Sequence, residues 1–211
     1  MRFAIFSDLH GNLPALEGFI QNTSYVDGYI CLGDIVNYGP WGNECVQLIN
    51  TIPSIVTIKG NHELYFLNNN YPGFNFVAKT FFETCIKDFT EYNTISKFSN
   101  SYQLGNYDFQ HTINNQYIFH DTNILLDRNI VIGHSHQQFD KVLNGFRLVN
   151  PGSLGQNRRY INKCEYMIFD LEKNTFESRN FIYNHTILIQ EMKSRNYPTI
   201  CIEYYQKKHF I

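Results

Sequence analysis

Apolar residues in the first sixty positions fall into short runs separated by amphipathic stretches. Residues 2–7 read as a buried strand. Asn12 then caps a helix that tolerates Pro14 in its first turn and places Leu16, Phe19 and Ile20 at helical spacing. Residues 29–32 form a second strand, 40–50 a second helix and 54–58 a third strand. Such strand–helix–strand alternation implies parallel strands joined by right-handed crossovers. Further along, residues 107–110, 117–119, 130–132, 146–149, 166–171 and 176–183 read as short strands separated by turns. They suggest a second, more antiparallel sheet packed on the first. Between the halves lies an aromatic-rich helical insertion at about 64–100, with Phe76, Phe81, Phe82, Phe89 and Tyr92. The tail, about 185–211, closes the chain with one or two helices broken at Pro198. The expectation is an α/β fold in one domain, 1–211.

The polar residues interrupt this pattern at particular places. Asp8 and His10 follow the first strand, Gly33-Asp34 the second and Gly60-Asn61-His62-Glu63 the third. His120 follows one later run, and Gly133-His134-Ser135-His136 follows the next. The C-terminal edge of an open α/β sheet is where ligands bind. Carboxylate, imidazole and amide donors delivered there suit manganese, iron, zinc, nickel or cobalt. In an extended Asp-x-His, residues two apart point the same way, so Asp8 and His10 can grip one ion. The same geometry, or a tight turn after Gly133, lets His134 and His136 face one centre.

Composition narrows the partners. The 211 residues carry 17 basic and 19 acidic side chains, for a net charge of −2, which disfavours a broad face for extended duplex nucleic acid. The basic clusters Arg158-Arg159 and Lys207-Lys208 are short, and a small charged substrate or a protein substrate fits better. Five scattered cysteines without Cys-x-x-Cys argue against a disulfide framework or a thiolate zinc site. With no apolar stretch of membrane-spanning length and no leader, the expectation is a cytoplasmic chain without a membrane partner. Nothing fixes the oligomeric state.

The blocks Ser-Asp-Leu-His-Gly-Asn (7–12), Gly-Asp-Ile-Val-Asn-Tyr-Gly-Pro (33–40), Gly-Asn-His-Glu (60–63), Gly-His-Ser-His (133–136) and Asn-Pro-Gly-Ser (150–153) occur in this order. Together they resemble the calcineurin-like metallophosphoesterase superfamily, in particular its small bacterial phosphodiesterase-like branch. The resemblance implies a four-layer α/β/β/α sandwich of two mixed sheets. It implies two divalent metal ions, with manganese foremost, ~3.5–4 Å apart, that activate a bridging water toward a small phosphate ester such as a nucleotide. Asp8, His10 and His136 would bind the first ion, Asn61, His120 and His134 the second, and Asp34 would bridge both. His62 would act at the leaving-group oxygen. His120 is followed by Asp121 where the family shows Gly, and His111 in Phe-Gln-His-Thr competes for its role. His120 is preferred because it ends the apolar run 117–119.

Protein Ser/Thr phosphatases of the superfamily carry Asp and Arg where this chain has Asn37 and Tyr38, so that activity is disfavoured. Arg158 is a candidate phosphate contact, because a guanidinium forms forked hydrogen bonds to phosphate. Trp41 is a candidate lining of the substrate entrance, although a lone Trp after a turn is more often simply packing. A metallophosphoesterase-fold scaffold without catalysis is the competing reading, and retention of His62 speaks against it.

Overall fold

The computed structural model describes residues Met1–Ile211. The first strand, β1 (Arg2–Phe6), pairs in parallel with β2 (Gly28–Cys31), which pairs in parallel with β3 (Ile55–Thr57). The crossovers are α1 (Leu13–Asn22) and α2 (Gly42–Thr51). Asn12 caps α1 as its sequence predicts, its side chain accepting from the Ala15 amide at 3.3 Å. Ala15, Leu16 and Phe19 form the buried stripe of this helix, each larger side chain contributing ~1.5–3 kcal/mol.

Three shorter helices follow: α3 (Asn61–Leu67), α4 (Phe76–Cys85) and α5 (Tyr92–Ser96). Next come β4 (Ser101–Leu104), β5 (Tyr107–Gln110), β6 (Asn129–Val131), β7 (Gln138–Leu143) and β8 (Phe146–Pro151). They make one five-stranded sheet in the order β4-β5-β6-β8-β7. Its centre, β5-β6-β8, is parallel and only its two edges are antiparallel. The sheet is therefore mixed rather than mostly antiparallel. The last two strands, β9 (Lys163–Asp170) and β10 (Thr175–Ile182), leave it and extend the first sheet to β10-β9-β1-β2-β3. Helices α6 (His185–Ser194) and α7 (Thr199–Gln206) end the chain, with Pro198 at the break between them.

The layers follow from which faces are apolar. Ile5, Ile30, Phe109, Val131, Val149 and Phe169 meet between the sheets. The outer face of the first sheet packs on the helices in the largest cluster, which includes Phe6, Phe19, Val46, Phe81, Leu188 and Tyr205. On the outer face of the second sheet, Ile118 and Leu126 cover Ile130, Ile132, Phe139 and Leu148. Residues 117–119, expected as a strand, belong to this covering segment. Ile118 is buried while Tyr117 and Phe119 are exposed. This run lies across the outer face of the sheet, with Ile118 packed on it, and is not part of its ladders.

Candidate active site

The loops that leave β1, β2 and β6 share an unusual backbone. Asp8, His10, Asp34, Asn37, Tyr38, His134 and His136 all have φ between 51° and 74°. Such values are costly for residues with a Cβ and concentrate at functional sites. Asp8 and His10 converge because the chain coils into left-handed turns, not because they alternate along an extended strand. Gly33 (φ 97°) is needed at the β2 turn, since a Cβ there would strike the Gly60 backbone. The two loops thus touch main chain to main chain.

One group of donors comprises Asp8, His10 and His136, all buried. His136 Nε2 lies 3.3 Å from Asp8 Oδ1 and 3.3 Å from His10 Nε2. The other ring nitrogens are occupied: His10 Nδ1 faces the Val36 carbonyl at 3.2 Å, and His136 Nδ1 faces the Gln156 carbonyl at 2.7 Å. Each Nδ1 therefore carries the proton, and each Nε2 turns a lone pair inward. Burial pushes both imidazoles well below the ordinary histidine range, so they are neutral. Asp8 Oδ1 has no hydrogen-bond partner at all, and burial raises this carboxyl to about 7. Two uncharged imidazole nitrogens and a carboxylate oxygen without a partner, all facing one point, fit a cation. Ligands held at ~2.1 Å around one ion sit about 3.0–3.4 Å apart, which is the spacing found here.

The second group comprises Asp34, His111 and His134, with Asn61 beside them. His111 Nε2 is 3.2 Å from Asp34 Oδ2, 3.0 Å from Asn61 Oδ1 and 3.3 Å from His134 Nδ1. Its Nδ1 donates to the Leu32 carbonyl at 2.8 Å. Burial opposes a charge on His111, yet Asp34 outweighs it and lifts the imidazole to about 9. Without metal, protonated His111 supplies the positive charge that Asp34 needs. Asp34 Oδ2 also lies 3.9 Å from both His10 Nε2 and His62 Nε2. It stands between the two groups, the position a bridging carboxylate requires.

His120, preferred from sequence, is not in this cluster. It is exposed, and its backbone amide is held by the Gln137 side chain. His111 occupies the corresponding place because it directly follows β5 and meets the rim as the other donors do. His120 follows a segment that is not a strand and runs over the sheet's far face. The signal for His111 was present: it obeys the same strand-end rule that singled out Asp8 and Asp34.

His62 opens α3 and points Nε2 toward Asp34. Its Nδ1 is 2.9 Å from the Asn37 amide nitrogen. The Asn37 oxygen accepts from the Tyr38 N–H at 2.9 Å, which assigns the NH2 to the ring. Nδ1 therefore accepts and Nε2 bears the proton. Burial lowers the His62 pKa, so the group is a neutral, oriented N–H donor. Where protein phosphatases of the superfamily place an aspartate, Asn37 still orients the ring without adding charge.

Glu63 holds these parts together, a role the sequence reading did not assign. One buried carboxylate accepts the amides of Gly60 (2.7 Å), Asp34 (2.8 Å), Ile35 (2.8 Å) and Val36 (3.2 Å). Its place three residues after the Gly60 cap is a capping-box signal. From the 150–153 block, the Ser153 hydroxyl donates to the Asp8 carbonyl at 2.8 Å. The Asn150 amide donates to the Gly133 carbonyl at 2.7 Å. Both fix ligand loops rather than touching the pocket's centre.

Aromatic rings frame the opening. Tyr117 stacks on His134 with centroids 4.1 Å apart, and Tyr38 meets His10 and His62 edge-on at 4.9 and 5.5 Å. Arg158 is exposed above this frame, 5.8 Å over the Tyr117 ring, and its charge disfavours protonation of His10, His62, His134 and His136. Trp41, by contrast, lines no entrance. It is buried in the main core, and its amide donates to the Gly11 carbonyl at 3.1 Å. Its ring is too large and apolar to stay at the rim when a helix start beside it offers cover.

An uncharacterised protein of Methanocaldococcus jannaschii, MJ0912, is 29% identical over 206 residues, covering 79% of this chain and 82% of the relative. The crystal structure of a metallophosphoesterase from Sphaerobacter thermophilus superposes with a TM-score of 0.79 at 22% identity, covering 98% of this chain and 99% of that one. A hypothetical protein of Pyrococcus horikoshii, PH1004, superposes with a TM-score of 0.80 at 15% identity, covering 97% of both chains. No helix is long and apolar enough to cross a membrane. The calcineurin-like phosphoesterase superfamily domain matches residues 1–174, and the chain belongs to that family.

Proposed function

We propose that this protein is a metal-dependent phosphoesterase that hydrolyses a small phosphate ester, of the nucleotide class, at a dinuclear centre. The observation that carries this reading is the convergence of carboxylate, imidazole and amide donor atoms around Asp34, with the neutral His62 N–H aimed at the same point. Asp8, His10 and His136 would hold one ion, and Asn61, His111 and His134 the other, with Asp34 shared. Manganese is the favoured metal, and iron, zinc, nickel or cobalt would accept the same donors. Bound divalent ions supply Lewis acidity and lower the pKa of a coordinated water toward ~7.

The chain's own residues do the rest. The carbonyls of Val36, Leu32 and Gln156 fix the ligand imidazoles in one tautomer, as outer partners of metal ligands do. His62 Nε2–H donates to the phosphoryl or leaving-group oxygen where negative charge develops, and it can hand over its proton as that oxygen departs. Asn37 keeps the ring turned for this. Tyr38 and Tyr117 offer flat apolar faces for a base or aryl group. Arg158 adds an exposed cation at the mouth.

The test is a substrate panel on manganese-loaded protein, with an aryl phosphomonoester, an aryl phosphodiester, cyclic nucleotides and dinucleoside polyphosphates. Metal-dependent turnover is expected on at least one of them. His62→Ala should lose ~10²–10⁴ in rate, the usual worth of a positioned proton donor, while holding its metal. No turnover above a metal-free control on any substrate would sink the reading and return the scaffold alternative.

A further inference from the structure

Beside the proposed metal centre lies a hollow bounded by Arg158, Arg159, Tyr204, Lys207, Lys208 and His209. No carboxylate lines it. Arg158 and Arg159 also wall the adjoining hollow that contains Ser135 and the proposed metal ligand His136, so the two spaces share a partition. The cations here are largely uncompensated. Arg158, Arg159 and Lys208 form no ion pair, and neither guanidinium donates a hydrogen bond to the protein. Only Lys207 is paired, with Glu203 at 3.5 Å on the solvent side.

Lys208 is the least expected of them. It is half-buried, its ammonium donates to the Asn157 carbonyl at 2.7 Å, and it packs 4.8 and 5.1 Å over the Tyr204 and Tyr205 rings. Burial, aided by Arg158, pushes it down to about 7. A partly desolvated ammonium with no ion-pair partner beside the Arg158 guanidinium is a net cost to the fold. A bound anion reverses that sign. Tyr204 connects the hollow to the site's aromatic frame, since its ring lies 6.0 Å from Tyr38.

We propose that this hollow is a subsite for a second phosphate group of the substrate, placing the protein's preferred substrates among esters with two or more phosphates, such as dinucleoside polyphosphates. The inference rests on the phosphoesterase reading for the first phosphate. Two segments far apart in sequence build the subsite: the loop after Asn157 and the end of α7. Arg supplies forked donors and Lys a point charge, a combination suited to an oxyanion chain.

The test compares wild type, Arg159→Gln and Lys208→Gln on two substrates with manganese bound. One is a bis-aryl phosphodiester, with a single phosphate, and the other is a dinucleoside tetraphosphate. Each variant should lose about tenfold to a hundredfold in kcat/KM on the tetraphosphate, the worth of a charge-assisted hydrogen bond. The aryl diester should change by less than about twofold. Equal losses on both substrates, or none on either, overturn the subsite. Calorimetric titration of metal-free protein with inorganic tripolyphosphate gives a readout that needs no turnover. If wild type hydrolyses neither substrate but binds tripolyphosphate, and both variants weaken that binding, the subsite stands and the phosphoesterase reading falls. Failure of wild type to bind tripolyphosphate overturns the subsite. Arg159 is exposed, so its variant remains informative even if Lys208→Gln misfolds.

Discussion

The two halves of the pocket solve the same problem differently. Around Asp8, His10 and His136, every donor is neutral or unpaired: the imidazoles are held uncharged by burial and one carboxylate oxygen lacks a partner. Around Asp34 and His111, the protein supplies its own counter-charge, an imidazolium against a carboxylate at 3.2 Å. The first half is closed over by the Gln156 loop, whereas the second opens beneath Tyr117 and Arg158. The contrast predicts that a cation in the first half meets two imidazoles already free of charge, whereas in the second it exchanges with the proton on His111. An ion in the first half should bind tightly. In the second it must displace a proton from His111 and should come and go more readily.

The largest effect that could break this contrast is at the shared residue. Asp34→Asn should empty both halves, and elemental analysis would show metal falling toward none. Loss of a single ion would mean that the halves do not share Asp34. Next, His136→Ala should remove the tightly held ion and His111→Ala only the exchangeable one, while His120→Ala should leave metal content unchanged. An equal loss in the His120 and His111 variants would refute the assignment of His111. A smaller effect is expected at Glu63, whose four amide contacts lie behind Asp34 and His62. Glu63→Gln turns one acceptor into a donor facing N–H groups. The change should cost ~1–3 kcal/mol in denaturant unfolding and weaken metal about 10- to 100-fold.

The smallest effect concerns Lys208. Its pKa is about 7 in the folded chain against 10.5 for the free group, so between those values the unfolded chain binds the extra proton. Stability of the metal-free wild type should gain from this group as pH rises through that window. Lys208→Met should lack that gain, as urea unfolding at pH 7 and pH 10 would report. Identical slopes in the two proteins would mean that the ammonium is freely hydrated.

How legible all this was depends on sequence distance. Asp8, Asp34, Asn61, His62 and His134 announce themselves because each ends an apolar run, and the fold gathers such ends at one edge. His111 obeys the same rule but was passed over for His120, since the run 117–119 looks like a strand when periodicity alone is read. Only the packing of Ile118 on the sheet's outer face shows why it is not. Strand β7 went unread although Asn144-Gly145, with φ of 52° and 82°, is a hairpin turn of the Asn-Gly type. The return of β9 and β10 to the first sheet, and of Lys208 to the loop at Asn157, joins segments whose local pattern carries no trace of the partner. Trp41 is the converse: of its two sequence readings, entrance lining or packing, the core cluster selects packing.

The left-handed turns at Asp8, His10, Asp34, His134 and His136 carry a consequence for anyone who would transplant or redesign this pocket. Its shape is written in main-chain torsions that few side chains tolerate, so the choice of coordinating group and the choice of local conformation are a single decision. Copying the imidazoles and acids onto an ordinary helix or strand would reproduce the chemistry's inventory and lose its aim. The same torsions favour Asp, Asn and His at these corners over branched residues.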